Sequence, residues 1–168
     1  KVLPSGLTVL VRPMPGYSGT HVIYATRFGS IDRDFRLGER EVHLPAGVAH
    51  FLEHKMFDMP DGRNVLSDFA ALGASPNAFT GTGHTAYYFT GSENFMENLR
   101  LLLTYVSTPY YTEESVAKEQ GIIGQEIRMV EDDPDNQVFY ALMECLYDHH
   151  PIQVPIAGTQ QSIACITA

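Results

Sequence analysis

The stretch SPNAFTGTGHTAYYFTG, Ser75–Gly91, decides the fold class of this 168-residue sequence. It contains two β-rich runs, Asn77–Thr80 and Thr85–Thr90, joined by a glycine-rich link, which is the pattern of a β-hairpin. A hairpin in the middle of the chain favours an antiparallel sheet over alternating βα units. The other strands and the helices that cover this sheet must then come from the segments on either side.

The segments before the hairpin predict two strands, a loop and two helices. Leu7–Pro13 and Thr20–Ser30 alternate with period two and are joined by turn residues, so we predict a strand pair. The charged segment Ile31–Pro45 predicts a polar loop. We predict a helix from about Ala46 to Met56 and a short helix at Asn64–Gly73 that Gly73 ends.

Helices dominate the chain after the hairpin. The first of them is ended by Pro109, and the one that begins at Pro134 extends to about His149. Four residues are predicted N-caps: Ser92, Thr112, Asp133 and Thr159. The order of elements predicts an α+β fold, with helices packed on one face of a mainly antiparallel sheet.

Composition limits the partners. The formal net charge is −9, which argues against nucleic acid or an anionic membrane, because phosphate binding needs clustered Lys and Arg. No apolar run approaches the roughly 20 residues that span a bilayer. Cys145 and Cys165 lie in apolar contexts without metal-binding spacing, which predicts buried, reduced side chains and a cytoplasmic location.

Three polar residues interrupt the apolar segment GVAHFLEHKMF, Gly47–Phe57. On a helix His50, Glu53 and His54 share one face, so the two imidazoles can bind one tetrahedral metal ion. The glutamate can deprotonate a metal-bound water, whose pKa the ion lowers towards about 7. This His-x-x-Glu-His order is the inverted form of the zinc-peptidase motif. The alternative, an exposed polar helix face, is disfavoured by the apolar neighbours.

A catalytic zinc ion needs a third protein ligand, and the predicted long helix offers two glutamates. Glu119 and Glu126 are two turns apart on an apolar stripe, although both could be ordinary solvated residues. Spacing does not distinguish their roles; we assign Glu126 as the ligand and Glu119 to a hydrogen bond with a ligating group or water. Lys55 and Arg128 beside these motifs are predicted to face solvent.

Separated motifs recur in one order along the chain: HFLEHKMF, then NAFT, then the aromatic run YYF, then EQGIIGQEI. This order resembles the pitrilysin/insulinase and mitochondrial-processing-peptidase family of inverted zincins, and most closely its bacterial processing-peptidase-like branch. The resemblance covers nearly the whole chain. It implies the metallopeptidase fold shared by LuxS and the processing peptidases, and a zinc metalloendopeptidase that hydrolyses extended peptides.

The resemblance also implies roles for single residues. It implies a Zn²⁺ ion bound by His50, His54 and Glu126. Glu53 would be the general base that activates a zinc-bound water, and Glu119 would support catalysis.

A substrate site is implied by the same resemblance. Asn77, Ala78 and Phe79 would lie on an edge strand that takes a peptide as an added strand. From the residues alone, Asn77 is more typical of a turn and Phe79 of a core.

The same family leads us to expect that residues 1–168 form a single incomplete N-terminal catalytic domain. Such a domain lacks its last strands and the second homologous domain, which in the family supplies an Arg and a Tyr that polarise the substrate carbonyl. We therefore predict a chain that binds Zn²⁺ but cleaves weakly or not at all by itself. Its predicted partners are a peptide or small unfolded protein, and a second copy or a second family subunit.

Two alternatives to a peptidase remain. A non-catalytic structural or scaffold paralogue would have lost a ligand or the base, and here all the candidates are present. A zinc hydrolase of small molecules would not need a peptide-binding edge strand such as the one that NAFT suggests.

Overall fold

Five strands and six α-helices make up the computed structural model, which describes all residues from Lys1 to Ala168. The strands are β1 (Thr20–Thr26), β2 (Asp34–Leu37), β3 (Arg40–His43), β4 (Ala74–Thr80) and β5 (Thr85–Gly91). The helices are α1 (Val48–Lys55), α2 (Val65–Ala71), α3 (Phe95–Tyr105), α4 (Glu113–Asp132), α5 (Pro134–Leu146) and α6 (Gln160–Ile163). None of the helices is both long enough and apolar enough to cross a bilayer.

The main sheet has three antiparallel strands in the order β1-β5-β4. The predicted hairpin forms its centre and one edge, with Asn77 opposite Tyr88. One face is covered by α1, α2 and α3, whereas Ile23 and Phe79 on the other face are exposed. The prediction of an α+β fold with helices on one face of an antiparallel sheet is confirmed.

The core consists of two hydrophobic clusters, and the second includes a residue of α1. The first joins the inner face of the sheet to α2 and α3, and its fully buried side chains include Phe69, Phe89, Leu102 and Tyr105. The second packs Phe51 of α1 against Ile123 and Ile127 of α4 and Ile163 of α6. Because α1 contacts the sheet on one side and α4 on the other, the histidine-bearing helix is fixed next to the glutamate-bearing one.

The start of α1 depends on two glycines with positive φ. Gly47, the N-cap residue, has φ 89°, and a Cβ there would lie 2.4 Å from the carbonyl oxygen of Ala157. Gly158, with φ 77°, would place a Cβ 2.5 Å from the carbonyl oxygen of Ala46. Only glycine allows this backbone conformation and this close approach together, so the two loops lock the first turn of α1 onto the segment before α6.

Two predictions about the first 45 residues are wrong. Leu7–Pro13 forms no strand: its only pairing is an isolated bridge between Val2 and Thr8. Alternating β-branched residues make a strand only where another strand supplies a continuous ladder of hydrogen bonds, and here the main-chain bonds stop at those that Lys1 and Leu3 make with Val9 and Leu7. The predicted polar loop instead contains the β2–β3 hairpin, which turns at Gly38 (φ 63°) and carries an Arg36–Glu41 ion pair of 3.1 Å.

Helix caps are predicted well with one exception. Thr112 and Thr159 form capping boxes, and Asp133 accepts a hydrogen bond from the main-chain N–H of Asp135. Ser92 is not a cap: α3 begins after Asn94, whose φ of 49° is left-handed and whose side chain makes no capping bond. The end of α5 is also earlier than predicted, at Leu146.

Three side chains differ from their predicted burial. Lys55 is fully buried and forms an ion pair with Asp58, which a lysine needs when it leaves water. Cys145 and Cys165 are exposed free thiols; α5 has no buried residue, so Cys145 has no core to enter. Arg128 is exposed, as predicted.

Candidate metal centre

The two histidines of α1 face α4 across the second hydrophobic cluster. His50 and His54 are one turn apart, with ring centroids 4.5 Å from each other. Both imidazoles are mostly buried, with 17% and 22% of the side chains exposed. The helix therefore presents two nitrogen ligands to the same point.

Glu126 of α4 completes a group of three possible ligands. Its Oε2 lies 3.7 Å from Nε2 of His50 and 3.6 Å from Nε2 of His54. Two ligands that bind one tetrahedral ion at 2.0–2.1 Å are about 3.3 Å apart. The two nitrogens and the carboxylate oxygen thus fit a zinc ion after small side-chain adjustments, and each of their ligand atoms lies within 4.8 Å of the others.

Glu119 lies behind His54 rather than beside the three ligand atoms. Its Oε1 is 2.8 Å from Nδ1 of His54, and only 13% of its side chain is exposed. A carboxylate accepts hydrogen bonds, so Nδ1 donates and the lone pair of the neutral ring resides on Nε2. Glu119 therefore orients His54 with the correct nitrogen towards Glu126, which is how carboxylates support metal-binding histidines.

The two histidines have opposite pKa shifts. Burial, together with the nearby charge of His54, lowers the pKa of His50 to about 4. Burial alone would also lower the pKa of His54, but the hydrogen bond with Glu119 and the charges of Glu126, Glu119 and Glu53 outweigh it and raise that pKa. His50 is consequently neutral at pH 7 and can offer a lone pair, although its buried Nδ1 has no hydrogen-bond partner.

Glu53 lies on the same helix, between the two histidines in sequence. Its side chain is buried, and its Oε2 accepts a hydrogen bond of 2.6 Å from the hydroxyl of Thr80 at the end of β4. Burial raises the pKa of Glu53, while the Thr80 hydrogen bond and the charge of His54 act in the opposite direction. A raised pKa makes a carboxylate a stronger base, which is the property that a proton acceptor in catalysis needs.

Two pockets lie along β4, and both include Glu53 in their lining. The first, of about 410 Å³, is lined by Phe79, Thr80 and the metal-facing His50 and Glu126, and by Val130, Asn136, Tyr140 and Ile156. The second, of about 430 Å³, is lined by Asn77 and Glu119, and by Phe57, Asp58, Asn64, Leu66 and Ile122. Glu53 borders both, so the two pockets are neighbours at the candidate metal centre.

Comparison with known proteins identifies the family. The insulinase family, peptidase family M16, matches residues 40–160. The chain belongs to this family. An uncharacterized zinc protease of Bacillus subtilis, YmfH, is 47% identical over 167 residues, which are 98% of this chain and 39% of that protein. The chain thus spans about two fifths of the length of this relative.

Solved structures agree with the M16 assignment. An M16-like peptidase from Alicyclobacillus acidocaldarius superposes with a TM-score of 0.89 and 45% identity over 92% of this chain and 36% of that one. A Pseudomonas fluorescens protein described as an inactive domain of peptidase M16 superposes with a TM-score of 0.74 at 19% identity, covering 90% of this chain and 36% of that one. Similarity at that level shows the fold alone.

The M16 chain brings all the sequence-predicted site residues into one region. His50, His54 and Glu126 converge, Glu53 and Glu119 flank them, and Asn77, Ala78 and Phe79 lie on edge strand β4 beside the pockets. Three further residues of the first pocket are not predicted from the sequence: Thr80, although it closes the NAFT motif, and Asn136 and Tyr140 of α5, for which the spacing gives no signal.

Proposed function

We propose that this chain is the zinc-binding part of a metalloendopeptidase that hydrolyses extended peptides. The observation that carries the proposal is the convergence of two imidazole nitrogens and a carboxylate oxygen within 4.8 Å. Two nitrogens and one oxygen are a common ligand set of catalytic zinc, and the relatives named zinc proteases support this choice of metal.

The chemistry follows from the positions of the side chains. When bound, Zn²⁺ supplies a Lewis acid that polarises the scissile carbonyl and lowers the pKa of a water molecule to about 7. Glu53 accepts the proton of the attacking water and delivers it to the leaving nitrogen. Glu119 holds His54 in the tautomer that keeps Nε2 free.

The edge of β4 offers main-chain groups to a peptide. The N–H of Gly81 donates to the carbonyl of His84 at 2.8 Å, so residues 81, 79 and 77 face β5. By the alternation of an antiparallel ladder, Ala78 and Thr80 turn their main-chain groups to the free edge. A peptide that pairs there passes Glu53 with side chains beside both pockets, and this mode suits any extended sequence.

An antiparallel peptide has a defined direction on this edge. Residue 77 borders the second pocket and residues 78–80 border the first. The amino-terminal half of the peptide then lies beside the first pocket, which contains no lysine or arginine and whose acidic residues are Glu53 and Glu126. The carboxyl-terminal half lies beside the second pocket, where Asp58 adds an acidic group.

Domain organisation, partners and location belong to the same proposal. Residues 1–168 are the N-terminal catalytic domain of a longer protein, in which a second homologous domain or a second subunit closes the site. The net charge of −9 supports peptides rather than nucleic acid or a membrane surface as partners. Two exposed free cysteines support the reducing cytoplasm as the location.

The scaffold alternative is less well supported. A non-catalytic paralogue has no need for a buried glutamate beside three converging ligands, and here the complete set is present. A small-molecule hydrolase does not need the free edge of β4.

Metal analysis of the purified chain tests the proposal. Wild type and Glu53→Gln should bind one zinc ion per chain, whereas His54→Ala should lose it. His43→Ala, on the β2–β3 hairpin, is the matched control and should keep it. In the longer protein, Glu53→Gln should also abolish peptide cleavage. Equal zinc content in His54→Ala and wild type would refute the proposed centre.

A further inference from the structure

We propose that Thr80 is a positioning residue that couples peptide binding on β4 to the orientation of the Glu53 carboxylate. This inference rests on the proposed function, because it takes Glu53 as the base and β4 as the peptide-binding edge. Thr80 is the last residue of β4 and belongs to both features, through its hydroxyl and its main-chain N–H.

The hydroxyl contact fixes one oxygen of Glu53. Oγ1 of Thr80 donates to Oε2 at 2.6 Å, and this is the sole hydrogen bond that the Glu53 carboxylate makes with the chain. With Oε2 occupied, Oε1 remains free to accept a proton. Glu53 lines both pockets, and the hydrogen bond from Thr80 holds its carboxylate in that orientation.

The main chain of Thr80 contributes the other half of the coupling. Its N–H faces the free edge of β4, next to Gly81, which is hydrogen-bonded to His84 and to Ser30. A peptide carbonyl that accepts this N–H fixes the φ and ψ angles of Thr80. Because χ1 of a β-branched residue is restricted, the backbone position then determines where the hydroxyl lies. Peptide pairing therefore holds the base in its working orientation.

A matched control lies directly across the hairpin. Thr85 pairs with Thr80 in the register of β4 and β5. Thr85 is buried, and its hydroxyl donates to the carbonyl of Phe28 at 2.8 Å, away from the site. Thr85→Val therefore removes a strand hydroxyl without touching Glu53, and Thr80→Ser keeps the hydroxyl that Thr80→Val removes.

The first experiment needs neither zinc nor turnover. In the ¹³C-glutamate-labelled, metal-free chain, Glu53→Gln identifies the Glu53 carboxyl resonance. We expect this resonance to shift in Thr80→Val, and to remain at its wild-type position in Thr80→Ser and Thr85→Val. We also expect it to move on addition of an extended peptide in wild type and to lose that response in Thr80→Val. An unchanged resonance in Thr80→Val, or an unchanged peptide response, overturns the inference.

The second experiment uses the zinc-loaded longer protein and separates kcat from KM. Misplacement of a catalytic group by about 1 Å costs on the order of 100-fold in rate. We expect Thr80→Val to lower kcat about 10- to 100-fold at unchanged zinc content and nearly unchanged KM, with recovery in Thr80→Ser. A kcat equal to wild type, or the same loss in Thr85→Val, contradicts the inference. Absence of zinc from wild type contradicts the proposed function instead.

Discussion

His50 and His54 are adjacent on one helix face, yet only one of them is stabilised as a cation. His50 is buried without a carboxylate at Nδ1, whereas His54 has Glu119 there. Two positive charges 4.5 Å apart repel, so the pair accepts one proton more readily than two. A metal ion replaces that proton, which makes binding depend on pH.

The stability of the metal-free chain should reflect the lowered pKa of His50. The pKa of His50 is about 4 in the folded state, against 6.5 in the unfolded state. The contribution of His50 to the free energy of unfolding is therefore fully present above pH 6.5 and is lost as the pH falls to about 4. The loss attributable to His50 is about 3 kcal/mol. His54, whose pKa is raised, acts in the opposite sense, and its contribution is lost as pH rises above 6.5.

Urea unfolding in the presence of a chelator measures this effect. His50→Gln should lose less stability between pH 6.5 and pH 4 than wild type, whereas His43→Gln on the exposed hairpin should follow wild type. If the free energy of unfolding of His50→Gln fell with pH in parallel with that of wild type, His50 would not be held neutral by the fold.

Glu119 should affect the affinity of the site for zinc without itself being a ligand. Glu119→Gln keeps a hydrogen-bond acceptor for Nδ1 of His54 but removes the negative charge, so we expect zinc affinity to fall about 10- to 100-fold. Competition with a chromophoric chelator measures the change, and Glu114→Gln, exposed at the start of α4, is the control. A complete loss of zinc would instead make Glu119 a ligand.

At the scale of single residues, local spacing explains what could be predicted. His50, Glu53 and His54 lie within one helical turn, so their shared face follows from helix geometry alone. Thr80 and Glu53 are 27 residues apart in sequence and meet only because α1 packs on β4. The prediction that Lys55 faces solvent is wrong for the same reason. Its burial depends on the packing of α1 in the folded chain and on the ion pair with Asp58.

Among the elements, β4 carries the strongest prediction about substrates. Pro76 lies where an outward N–H would be, and the Ala78 N–H is bonded to Oδ1 of its neighbour Asn77 at 2.9 Å. Both features limit pairing with another chain. A peptide must displace the Asn77 side chain to reach the Ala78 N–H.

A scan of singly N-methylated peptides tests pairing with β4 while the protein stays unchanged. With the non-cleaving Glu53→Gln variant, methylation at positions that face β4 should weaken binding at least about tenfold, because each removes a main-chain hydrogen bond. Methylation at the intervening positions should have little effect. Uniform sensitivity along the peptide would contradict strand addition.

The elements that were predicted well have strong local signals. Helical spacing marks α1 and α2, capping residues mark α4, α5 and α6, and glycine-linked β-rich runs mark the central hairpin. The predictions for Leu7–Pro13 and for the segment that forms the β2–β3 hairpin are wrong in opposite ways. The first has the pattern of a strand and no partner, and the second has a partner but a polar pattern, so only tertiary pairing distinguishes them.

At the scale of the whole molecule, the candidate site depends on the expected metal for a permanent positive charge. No lysine or arginine lines either pocket. The negative charge that develops on the scissile carbonyl in the transition state would therefore meet the metal but no lysine or arginine of this chain. Loss of one oxyanion-stabilising donor typically lowers kcat about 100- to 1,000-fold.

We therefore expect this chain alone to cleave peptides at least about 100-fold more slowly than the longer protein, at equal zinc content. The chain spans 39% of its Bacillus subtilis relative, so the missing donors can come from the remaining length. A fluorogenic-peptide assay compares the two proteins, and addition of the remaining polypeptide in trans should restore cleavage. The Glu53→Gln version of this chain, given the same addition, must stay inactive if Glu53 is the base. Equal rates for the isolated chain and the longer protein would show that these 168 residues already stabilise the transition state without help.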